Sequence, residues 1–88
     1  MSYTITKEDY NLTIDFLALL NCDIRQMERD NKTLDISYAC KCDRLKGEVN
    51  MLSFLFDIET DEIYKMISIR ADNIERAYIP INKSFSII

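Results

Sequence analysis

Between Leu52 and Ile69 the chain falls into two apolar runs. Leu52-Ser53-Phe54-Leu55-Phe56-Asp57-Ile58 and Glu62-Ile63-Tyr64-Lys65-Met66-Ile67-Ser68-Ile69 are separated by the polar Glu59-Thr60-Asp61. Runs rich in aromatic and β-branched residues on either side of a short polar break predict a β-hairpin. A three-residue loop sets Phe56 opposite Tyr64 and Phe54 opposite Met66, with Asp61 in the left-handed position that Asp tolerates better than most residues. Upstream the period is two: Leu34, Ile36, Tyr38, Cys40 and Cys42 alternate with Thr33, Asp35, Ser37 and Lys41, as along a half-buried strand. Asp43-Arg44-Leu45-Lys46-Gly47 reads as the turn that follows it. Glu48–Ile58 carries apolar residues on both faces, so it is expected at the centre of the sheet. Ile74–Ile81 reads as a further strand, whose end lies at an edge because Pro80 cannot donate to a ladder. Phe85, Ile87 and Ile88 form an apolar tail expected to dock on the body.

Residues 10–27 support two readings. As a helix, Thr6 caps it and Glu8 and Asp9 sit in the first turn, where the dipole favours acids. Tyr10, Ile14, Leu17, Ile24 and Met27 then share one face, with Leu20 beside it, and Arg25 and Arg29 fall late. As a strand, Tyr10, Leu12, Ile14, Phe16, Ala18, Leu20 and Cys22 alternate with Asn11, Thr13 and Asp15. The pattern is longer than most strands, which favours the helix. The expected fold is therefore α+β over a single domain, 1–88: an N-terminal helix packed on a four- to five-stranded antiparallel sheet that can curl into a partial barrel.

Composition narrows the function. Of 88 residues, 48% are hydrophobic, a generous supply for a domain that buries only a modest share of its surface; part of it is free for a partner. Eleven basic and fifteen acidic residues leave a net charge of −4, with no basic patch or tail. Binding a phosphate backbone needs clustered Lys and Arg, so nucleic acid is not an expected ligand. The longest apolar run, Phe16–Leu20, is far too short to span a bilayer, and Lys7-Glu8-Asp9 interrupts any leader pattern. Three cysteines in no framework spacing argue for a reducing, cytoplasmic setting. The abundance of Ile, Asn and Lys suits an AT-rich genome, such as a low-GC bacterium or its phage, in which case the setting is the host cytoplasm.

Little in the chain nominates chemistry. Cys40-Lys41-Cys42 with Cys22 could bring three thiolates to one side of a sheet, but zinc wants four ligands and there is no His to complete the set. Buried small hydrophobes are the simpler reading, so no metal or other cofactor is expected. Asp57, Glu59, Asp61 and Glu62 have the spacing that starts a calcium loop, yet Glu62 stands where the loop needs Gly and Ser68 where it needs its closing Glu. No pair of carboxylates and no nucleophile with a base is marked out, so catalysis is not expected.

These readings converge on a non-catalytic, small acidic protein-binding module, in the manner of an inhibitor or accessory factor encoded by a phage or mobile element. It would act by occluding a basic surface of a host protein. Asp57, Glu59, Asp61, Glu62 and Tyr78 are the expected partner-binding residues, since acids complement a basic surface and tyrosine brings contact area at low entropic cost. A homodimer is also expected, because one proline does little to guard the strand edges. Two alternatives stand beside this: a structural homo-oligomer that assembles through a sheet edge, and a small ligand-binding regulatory domain.

Overall fold

The computed structural model describes residues 6–87, with side chains as far as Ala77. It contains three helices: α1 (Lys7–Arg29), α2 (Ile36–Phe56) and α3 (Thr60–Ile87). Among the described residues there is no strand, so the α+β fold, its antiparallel sheet and any sheet edge are replaced by a helical bundle.

The reason lies in apolar spacing that outlasts the local alternation. In α2, Tyr38, Cys42, Leu45, Val49, Leu52 and Phe56 are separated alternately by four and three residues, the stripe that one face of a helix presents to its neighbours. Tyr38 and Cys42 belong to both periods; Leu45, Val49 and Leu52 belong only to the helical one. Tyr10, Ile14, Leu17 and Ile24 form the matching stripe of α1, and Ile63, Ile67 and Ala71 that of α3. The core forms where these stripes meet: Ile14, Leu17, Val49, Leu52, Ile63 and Ile67 are all buried, with Tyr10, Leu20, Leu45, Phe56 and Ile58 packed around them. Of the two readings for residues 10–27, the helix is the one observed.

The caps explain where each helix stops. Thr6 and Asp9 close a capping box at the start of α1. Its end is a Schellman motif around left-handed Asn31, with Lys32 N–H donating to the Met27 carbonyl at 2.8 Å and Asn31 N–H to that of Glu28 at 3.2 Å. Asp35 caps α2 by accepting from the Ser37 amide. The chain does turn beside the polar break that suggested a hairpin, at residues 57–59, but the turn joins two helices, and Thr60 and Asp61 already belong to α3. Asp57, not Asp61, takes the left-handed conformation (φ 54°), and Ile58 N–H reaches back to the Ser53 carbonyl. Asp43–Gly47, expected as a turn, lies in mid-helix, because one glycine costs a helix only about 1 kcal/mol.

The expected pairing of Phe56 with Tyr64 is also replaced. Phe56 meets Tyr10 edge-to-face, with ring centroids 5.0 Å apart, and Tyr64 is exposed. Residues 74–81 fall within α3 rather than a strand. The docking of Phe85, Ile87 and Ile88 lies outside the described side chains.

A polar ladder sets the register of α1 against α3. Arg25 donates to Asp72 at 2.8 Å and to the Ser68 hydroxyl at 3.0 Å, and also pairs with Glu75. Arg29 pairs with the same Glu75, and Arg70 reaches back to Asp15. Lys41 and Asp23 join α1 to α2 more loosely, at 3.8 Å. The result is elongated, 54 × 29 × 24 Å. Among the described residues no helix is long and apolar enough to cross a membrane.

Candidate interaction face

The bundle hides fewer large apolar side chains than it shows. Nine apolar residues are buried, two of them alanines; eleven large ones are exposed among the described residues. Single exposed hydrophobes are ordinary, but contiguous ones mark contact surfaces.

On α1, Leu12, Phe16 and Leu19 are spaced by four and three, on the side opposite the buried Ile14–Leu17–Ala18 stripe. Phe16 is 71% exposed. On α2, the row Arg44–Glu48–Met51–Leu55 runs beside the core stripe and leaves Met51 and Leu55 in solvent. Phe16 and Leu19 of the first row and Arg44 and Glu48 of the second line a groove of about 410 Å³ between the helices, together with Thr13, Leu17, Leu20 and Asp23; Leu12, Met51 and Leu55 lie beyond its lining. The helices run antiparallel: Tyr10 meets Phe56 at one end of the groove and Asp23 meets Lys41 at the other. Leu12, Phe16, Met51 and Leu55 therefore share one apolar face, with Asp23 and Arg44 towards its charged end. The only glycine of the chain, Gly47, lies in the middle of α2 one turn before Met51. A Cβ added there would touch nothing within 4 Å.

Four of the five expected partner-binding residues are brought together, at the α2–α3 turn. Asp57 ends α2; the carbonyl of Glu59 accepts from the Glu62 and Ile63 amides; Asp61 and Glu62 occupy the first turn of α3. All four are exposed. Their position also accounts for them structurally, since acids in a first turn offset the helix dipole and a left-handed Asp ends a helix. The side chain of Tyr78 lies outside the described residues.

The helix separates the cysteines that a strand would have aligned. Residues two apart on a helix point about 200° apart, so exposed Cys40 and half-buried Cys42 diverge. Cys22 is half-buried on α1, its thiol 3.6 Å from the Ala71 carbonyl, and burial pushes that thiol up from its ordinary range. Tyr38 donates to the Glu28 carboxylate at 2.8 Å and bridges the α1–α2 connection. That bond, with Cys42 contributing, pushes the phenol up to about 12.

The apolar face was missed in the sequence although its signal was present. The spacing 12–16–19 is as helical as 10–14–17, and a helix apolar on both sides is one that expects cover on both sides. No known protein family, curated protein or solved structure matches this chain.

Proposed function

We propose that this protein is a non-catalytic binding module whose working surface is the α1–α2 face. One observation carries the reading: Leu12 and Phe16 on α1 and Met51 and Leu55 on α2 are exposed on two neighbouring antiparallel helices, with Phe16 lining the groove between them, on a bundle whose own core is complete without them. A pocket built for a small ligand encloses it and converges polar groups on it. This groove is half open to solvent and is flanked by exposed apolar side chains on both helices, which fits the side chains of a macromolecular partner better. The acidic α2–α3 turn adds a charged edge that suits a partner carrying basic residues, and such charges act mainly on encounter rate and orientation. Covering a partner's surface is then the mode of action, as expected for an inhibitor or accessory factor. The apolar face, and not the acidic tip alone, supplies the affinity.

A photo-crosslinking side chain at position 16, compared with one at position 69 on α3, tests this in extract of the source cells. Protein adducts concentrated at position 16 are expected. Equal capture at the two positions, or none at either, would overturn the reading.

A further inference from the structure

We draw no further inference here: the strongest candidate, the exposed apolar patch of Leu12, Phe16, Met51 and Leu55 on the α1–α2 face, belongs to the site already described, and nothing in the structure shows what covers it.

Discussion

At the scale of single residues, two hydrogen-bonded side chains carry pH dependence of opposite sign. Asp9 accepts from the Thr6 amide and the Thr6 hydroxyl, each at 3.0 Å, and these bonds hold its carboxyl below the usual range. A carboxylate with a lowered folded pKa contributes stability above its unfolded pKa and loses it as pH falls through the folded value. Asp9→Asn should therefore lower stability at neutral pH and converge with wild type below about pH 4, read as the helical signal during acid titration. Tyr38 runs the other way. Its phenol, pushed up to about 12 by the bond to Glu28, contributes fully below the unfolded value near pH 10 and loses that contribution as pH rises towards 12. A spectrophotometric titration should show one tyrosine ionising later than the ordinary phenol range, and Glu28→Ala should bring it back. An unchanged titration in that variant would remove Glu28 as the cause.

At the scale of elements, the aromatic clasp between α1 and α2 is separable from the core. Tyr10 and Phe56 meet edge-on at 5.0 Å, a geometry worth about 0.5–1.5 kcal/mol beyond area alone. A double-mutant cycle of Tyr10→Ala and Phe56→Ala, read by denaturant unfolding, should return a coupling in that range, whereas Phe56→Ala with Tyr64→Ala should be additive. The contrast reflects how much of each element was legible. One break was: the polar stretch after Phe56 makes a turn because Asp57 accepts left-handed backbone, whereas Asp43–Gly47, read as a turn in the same way, lies in mid-helix. The type of the elements it joins was not. Leu34, Ile36 and Tyr38 alternate over too short a span to separate strand from helix, and only the longer stripe through Leu45, Val49, Leu52 and Phe56 decides. The expectation that Glu48–Ile58 is a central strand covered on two sides is overturned: through Phe56 it is helix, and only one side is covered. In the bundle Val49 and Leu52 meet the core while Met51, Phe54 and Leu55 face away. The acidic cluster was found because charge is visible in sequence; the apolar face was not, because its residues could not be told from core until the helices were placed.

At the scale of the whole molecule, a small core and a large apolar exterior make opposite demands. Domains of this size have stabilities of about 5–15 kcal/mol. The core rests on six large side chains, with Ile63 fully buried and Ile67 nearly so. Ile67→Ala should cost about 2–5 kcal/mol, enough to leave a large fraction of the chain unfolded in mild denaturant. Phe16 is as large and as apolar, but it is 71% exposed and lies outside the core. With no partner present, Phe16→Ala should leave unfolding within about 0.5 kcal/mol of wild type, as a surface change does. With a partner on the α1–α2 face the ranking changes. Mass action links binding to stability, so a ligand of the folded state raises the unfolding midpoint with the logarithm of its concentration once that exceeds Kd. Adding the partner captured by crosslinking at position 16 should raise the midpoint of the wild-type chain, and also that of Ile67→Ala from its lower start, whereas Phe16→Ala should respond far less. A Phe16→Ala midpoint that climbs with partner concentration as steeply as wild type would place the binding away from this face.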